Sequence, residues 1–212
     1  MEARRPHIFV AGSTNERISE EYNLAAQKLG KAICENKYTL VFDGAYGLPG
    51  LAAAQFLGKG DNFENVLICA CNQTHRLPYE WIRQLNALMI ECEKQSDVTR
   101  TLIKESEYLI FMKGNTGTLT ELFQAIDTKK NKEHNKMIIV LNIAHQWDEV
   151  ENLLKTLDIS DLYQIANTPE EAMEYIKEDL NKLGYKYGDN FFWRKNIGES
   201  IESQSDLDDY EK

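Results

Sequence analysis

Long apolar runs are missing from this 212-residue chain; none approaches the ~20 residues that a membrane helix needs. The opening Met1-Glu2-Ala3-Arg4-Arg5-Pro6 lacks the apolar core of a signal peptide and leads straight into a strand. Cysteine is scarce: the four residues show no zinc-like spacing. Cys69 and Cys71 lie in Val66-Leu67-Ile68-Cys69-Ala70-Cys71, share one strand face and read as reduced core thiols, which predicts a cytoplasmic protein. Positive charge is in deficit, with 24 Lys and Arg against 34 Asp and Glu, a net charge of −10. That balance argues against a general binder of nucleic acid or anionic membrane. Part of the excess falls near the chain end, at Glu199, Glu202, Asp206, Asp208, Asp209 and Glu211, in a polar, aromatic-poor stretch that predicts a mobile, solvent-exposed tail.

The common nucleotide signatures are lacking as well. Gly44, Gly47 and Gly50 stand three apart, whereas the first two glycines of the dinucleotide fingerprint stand two apart and follow the first strand. No Gly-Lys-Ser/Thr occurs, so the lysine loop of nucleotide hydrolases is absent. No lysine sits in a recognisable Schiff-base context. His7, His75, His134 and His145 are scattered and form no metal-ligand set.

What is present alternates. Residues 7–11 predict a short strand ending at Gly12-Ser13-Thr14, followed by a helix over about 19–35 with Tyr22, Ala25, Ala26, Leu29 and Ile33 on one side. Strands follow at 38–42, 64–71, 108–112 and 136–142. Helices are expected from the end of the Gly44–Gly50 loop to about 57, over about 79–91 and 96–105, and after the turn at 113–121. Thr168-Pro169-Glu170-Glu171 opens another helix, with Thr as cap and Pro at the first helical position. Strands alternating with helices predict an α/β, Rossmann-like fold: a doubly wound, mostly parallel sheet with helices on both faces. We expect one such nucleotide-binding domain over 1–183. Beyond it, 184–212 holds the aromatic stretch Gly184-Tyr185-Lys186-Tyr187-Gly188-Asp189-Asn190-Phe191-Phe192-Trp193 and the acidic tail. That stretch would pack on the domain, cover the site or meet a second subunit.

The richest segment is Lys113-Gly114-Asn115-Thr116-Gly117-Thr118-Leu119-Thr120-Glu121. It joins the strand Tyr108-Leu109-Ile110-Phe111-Met112 to a helix whose apolar face carries Leu119, Leu122, Phe123 and Ile126. A glycine turn there bares N–H groups at the positive end of a helix dipole, where phosphate can sit. Glu121 falls one turn in. Three strand ends carry glycine or hydroxyl, at Gly12-Ser13-Thr14, Gly44 to Gly50 and Gly114 to Thr118, and should converge on the carboxyl rim of the sheet, where such folds bind ligands.

With these loops in place the chain resembles the LOG family of cytokinin-activating enzymes and, more broadly, the SLOG superfamily. The family motif Pro-Gly-Gly-x-Gly-Thr-x-x-Glu lies on Lys113 to Glu121, matching at Gly114, Gly117, Thr118 and Glu121. Its Gly-Gly-x-x-Gly-Leu-Met-Gly loop lies on Asp43 to Gly50, keeping Gly44, Gly47, Leu48 and Gly50. The resemblance implies hydrolysis of the N-glycosidic bond of a nucleoside 5′-monophosphate, with no metal and no organic cofactor. It implies Glu121 and Arg100 as catalytic residues, and substrate or phosphate binding by Gly12, Ser13, Asp43, Gly44, Gly47, Lys113, Gly114, Asn115, Thr116, Gly117 and Thr118. By analogy it also implies a homodimer and a small-molecule nucleotide partner, with neither nucleic acid nor membrane.

The match is divergent. Lys113 replaces the motif's proline, Asn115 its second glycine, and Asp43 a glycine of the second loop. A carboxylate at 43 would either hold ribose hydroxyls or repel phosphate. Thr101 follows Arg100 where the family has Arg-Lys, leaving Arg100 open to being a solvated helix residue, just as Glu121 could simply suit the helix dipole. A non-catalytic SLOG module that binds or senses a nucleotide is the alternative.

Overall fold

The computed structural model describes residues 3–15, 17–58, 65–71, 87–188 and 191–194. The expected strand start at 64, the expected helix over 79–86, with Tyr79 and Trp81, His75 and the acidic tail lie outside the described residues.

In chain order the elements are β1 (Ala3–Arg4), β2 (His7–Ala11), α1 (Glu20–Glu35), β3 (Thr39–Phe42), α2 (Leu48–Leu57), β4 (Val66–Cys71), β5 (Leu88–Cys92), α3 (Gln95–Glu105) and β6 (Tyr108–Phe111). There follow α4 (Thr116–Lys130), β7 (Met137–Leu141), α5 (Asp148–Thr156), β8 (Gln164–Ala166), α6 (Pro169–Lys182), β9 (Tyr185–Gly188) and β10 (Phe191–Arg194). Seven strands form one sheet in the order β5-β4-β3-β2-β6-β7-β8. Every pairing in it is parallel, for example Phe9 beside Val41 on one side and Leu109 on the other.

The sheet is buried on both faces because its strands alternate between two cores. Ile8, Val10, Leu40, Phe42, Tyr108 and Ile110 point into one core, beneath α1, α2 and α6. Phe9, Ala11, Val41, Leu109 and Phe111 point into the other, beneath α3, α4 and α5, where the Phe9 and Phe111 rings meet edge-on at 5.9 Å. The chain runs outward from β2 through β3, β4 and β5, then returns to β6 on the opposite side of β2. The order therefore reverses at β2, and that reversal opens a crevice at the carboxyl ends of β2 and β6. The doubly wound architecture is as the alternation predicts.

The expected helix over 79–91 is corrected in its described part: 88–92 is β5, with Leu67 beside Leu88 and Cys71 beside Cys92 in a parallel ladder. Leu, Met and Glu favour helix locally, but pairing with β4 overrides that propensity. As an edge strand it leaves Leu88 60% exposed, so it lacks the continuous burial that marks the inner strands. Helix α5 and strand β8 went unread in the sequence. At the start of α6, Thr168 Oγ1 accepts from Glu171 N–H at 3.1 Å while a Glu171 carboxylate oxygen accepts from Asn167 N–H at 2.7 Å. The cap predicted there is present.

The aromatic stretch after Gly184 forms β9 and β10, and β10 pairs antiparallel with β1 in a separate three-stranded sheet, β1-β10-β9. Tyr185 packs, partly buried, against the α1–α6 core.

Helix α1 crosses α2 at Gly30, where an added Cβ would come within 2.0 Å of the Ala52 carbonyl oxygen. Gly30→Ala should therefore force the helices apart and cost about 2 kcal/mol or more. Gly58→Ala, whose nearest atom would be 3.4 Å away, should be close to neutral. Urea denaturation of both variants checks the pair; equal midpoints would contradict the close crossing.

Candidate functional site

Ser13 is where the loops meet. Its N–H donates to the Lys113 carbonyl at 2.7 Å, tying the end of β2 to the turn after β6. Its carbonyl accepts from Leu48 N–H at 2.9 Å, tying both to the start of α2. Its hydroxyl accepts from Asn15 N–H at 3.1 Å, and the residue is buried. The third loop can come this close only because Gly47 is glycine: φ is +79°, and a Cβ would sit 2.2 Å from the Ser13 carbonyl oxygen. Gly44 also has a positive φ, +78°. The three segments expected to converge do so.

The turn after β6 delivers the N-terminus of α4 to the crevice. Asn115 is the N-cap but offers no side-chain oxygen to the first turn, so the N–H groups of Thr116, Gly117 and Thr118 face outward for another acceptor. Gly117 is exposed, and a Cβ there would touch nothing within 4 Å, so a ligand can approach its backbone closely. Thr118 is different: it is buried, with its hydroxyl turned over Gly114, where a Cβ would be 2.0 Å away. Its side chain shapes the turn, and its backbone remains for binding. Gly12 closes the end of β2, packed where a Cβ would come 3.2 Å from that of Leu48.

Two carboxylates stand at this rim. Asp43 follows β3 directly, and its Oδ1 accepts from Ala45 N–H at 3.0 Å. Glu121 lies one turn into α4. Enclosure by protein pushes the Glu121 carboxyl up to about 8, and the nearby Asp43 charge adds to the rise. Burial raises Asp43 too, opposed by N–H bonds from Ala45 and its own backbone.

Lys113 is half-buried with its ammonium 4.4 Å from the centre of the Tyr22 ring, a cation–π contact. Tyr22 in turn donates through its hydroxyl to Gln146 Oε1 at 3.4 Å. Gln146 follows Ala144 and His145, consecutive left-handed residues with φ of 49° and 59°, at the carboxyl end of β7. Such backbone strain concentrates at functional rims. Sequence reasoning assigned Tyr22 only to the core and passed over the 143–147 segment; a left-handed Ala-His pair leaves no signal in composition.

Arg100 is placed apart. It is exposed on α3 and lines a 670 Å³ cleft between α3 and α4 with Asp97, Gln124, Asp127, Thr128 and His134. Among the described residues it makes no ion pair with Glu121. Among the described residues there is also no cluster of His, Cys, Asp or Glu able to hold a metal, and no helix long and apolar enough to cross a membrane.

A titration follows from Glu121. Its carboxyl is raised from 4.5 to about 8 in the fold, so between these values the unfolded chain has already lost the proton that the folded chain keeps. Stability therefore falls as pH rises through that window. Glu121→Gln removes the slope: its Tm relative to wild type should climb from about pH 5 upward and level off above about pH 8. A difference independent of pH would contradict the enclosed carboxylate.

A rice protein (Oryza sativa subsp. japonica) named "Probable cytokinin riboside 5'-monophosphate phosphoribohydrolase" is 27% identical over 148 residues, 69% of this chain and 57% of the rice protein. The chain thus spans little more than half the length of that relative. Among solved structures, the molybdenum cofactor carrier protein of Chlamydomonas reinhardtii has a TM-score of 0.63 at 20% identity, over 84% of this chain and 99% of its own. The molybdenum cofactor binding protein of Rippkaea orientalis reaches 0.65 at 23%, over 84% and 98%. DNA processing protein A of Helicobacter pylori reaches 0.60 at 14%, over 82% and 81%. At these identities the structural likeness is one of fold. The SLOG cluster4 family model matches residues 5–173, most of the domain and all of the crevice loops, and the chain belongs to that family.

Proposed function

We propose that the chain is a hydrolase that cleaves the N-glycosidic bond of a nucleoside 5′-monophosphate or related N-glycoside, giving free base and ribose 5-phosphate. The observation that carries this is Glu121, an enclosed carboxyl raised to about 8, with Asp43 beside it where three loops meet at the reversal of the sheet. A strongly shifted acid in a crevice marks chemistry more often than packing. The phosphate is held by the N–H groups of Thr116, Gly117 and Thr118 at the positive end of α4. Lys113 supplies the positive charge closest to that loop.

Breaking the bond from C1′ to the base builds positive charge on the ribose ring, which a carboxylate beside it stabilises. The leaving base takes up a proton, and water closes on C1′, losing its own proton. Glu121 serves both needs in turn: protonated, it feeds the base, and once ionised it faces the ring and accepts the proton from water. The activity in the rice relative's name is consistent with this chemistry.

The rival reading is a binding module that holds a nucleotide without cleaving it. Arg100 favours it, because the arginine that the LOG resemblance assigns to catalysis lines the α3–α4 cleft and, among the described residues, makes no ion pair with Glu121. In either reading the ligand is a small molecule, and a net charge of −10 disfavours nucleic acid. We also propose that the chain forms a homodimer.

Incubation with a panel of nucleoside 5′-monophosphates, followed by chromatography for free base, separates the readings. We expect release from at least one of them. Glu121→Gln should keep affinity within a few fold and lose about 100-fold or more in kcat, the scale of one acid–base group. Stabilisation by a nucleotide with no release of base would give the rival its case. Unchanged turnover in Glu121→Gln would remove that residue from the mechanism.

A further inference from the structure

We propose that Asp43 reads the 2′,3′-diol of the sugar, so that the crevice takes ribonucleotides and discriminates against their 2′-deoxy counterparts. This deepens the nucleotide reading above and rests on it.

The placement comes first. Strand β2, helix α1 and strand β3 make a βαβ unit of adjacent parallel strands, and Asp43 is the residue leaving the carboxyl end of β3. In doubly wound sheets an acidic side chain beyond that second strand is well placed to bond ribose hydroxyls while phosphate sits at a helix N-terminus. Here the phosphate cradle belongs to α4 after β6, and β6 and β3 flank β2 on opposite sides. Asp43 and the cradle are thus separated by two strand spacings, about 9.6 Å. Between them β2 ends in the small residues Ala11 and Gly12.

The side chain is also prepared for the task. The bond from Ala45 N–H to Oδ1, within the turn that Gly44 makes at positive φ, fixes the carboxylate in orientation. Two N–H donors leave lone pairs on a group that can accept about four bonds. Among the described residues Asp43 makes no ion pair, and its charged neighbour is another carboxylate, Glu121. A half-buried acceptor beside another carboxylate calls for uncharged donors, and a vicinal diol brings two. The LOG motif has glycine here, so this discrimination belongs to the present chain's own departure from that motif.

The test compares binding of adenosine, guanosine, cytidine and uridine 5′-monophosphates with that of their 2′-deoxy forms, by calorimetry, for wild type, Asp43→Asn and Asp43→Gly. Wild type should prefer the ribonucleotide it binds best by roughly 10- to 100-fold, the worth of a hydrogen bond to a charged group. Both variants should lose ribonucleotide affinity, keep deoxyribonucleotide affinity, and bring the ratio within roughly 3-fold. An equal ribo-to-deoxy ratio in wild type and in the folded variants would overturn the inference while leaving the nucleotide reading intact. Asp43-dependent discrimination without release of base would uphold the inference and overturn hydrolysis. No binding of any of these nucleotides to wild type would overturn both.

Discussion

The backbone of Ser13 is the constraint on which the crevice depends. One residue donates to the turn after β6 and accepts from the start of α2, so the ends of β2 and β6 and the β3–α2 loop are held in one plane of contact. The arrangement tolerates no side chain at Gly47 and little at Gly12. It works because both partners are main-chain groups at the ends of buried strands, where unpaired N–H and C=O groups would be costly. Each loop thereby satisfies another. The geometry of the ligand site is a by-product of that mutual satisfaction, and it is rigid for the same reason.

On this frame the charges are arranged against one another. Two carboxylates are enclosed at the rim, each raised by burial, with Lys113 on the turn above and the helix dipole of α4 directed outward. Enclosing acids without a cation is unfavourable, and under the proposed reading a ligand that brings hydroxyls to Asp43 and a base to Glu121 would relieve it. Lys113 rests on Tyr22 at a cost of order 1 kcal/mol to displace, so a phosphate can recruit it from there. Tyr22, Gln146 and the left-handed Ala144-His145 turn form a wall running from α1 to β7 on the same side.

Much of this was legible beforehand, and the reasons are specific. Ile8, Val10, Leu109 and Ile110 belong to short apolar runs bounded by glycine, which is how buried parallel strands read. The strand–turn–helix at Lys113 to Glu121 exposed the α4 N-terminus and Glu121 together. The convergence of three loops followed from the rule for strand ends. What could not be read was long-range or purely conformational. Strand β5 resembles a helix because its residues favour one and its pairing partner lies elsewhere in the chain. The contact of Lys113 with Tyr22 joins the turn after β6 to α1, and the influence of Asp43 on Glu121 reaches across the ends of three strands. Arg100 was placed by resemblance, which gave its helix and not the cleft it faces. Thr118 was taken as a ligand group on motif grounds, while its hydroxyl packs over Gly114.

The central claim is that the crevice joined through Ser13, rather than the α3–α4 cleft, holds a nucleotide. A crystal structure of Glu121→Gln with the ribonucleoside 5′-monophosphate that stabilises it best would test this directly. The account predicts the phosphate within hydrogen-bond distance of the Thr116, Gly117 and Thr118 N–H groups, with the glycosidic bond beside residue 121. A nucleotide seated instead against Arg100 and Gln124 would contradict it.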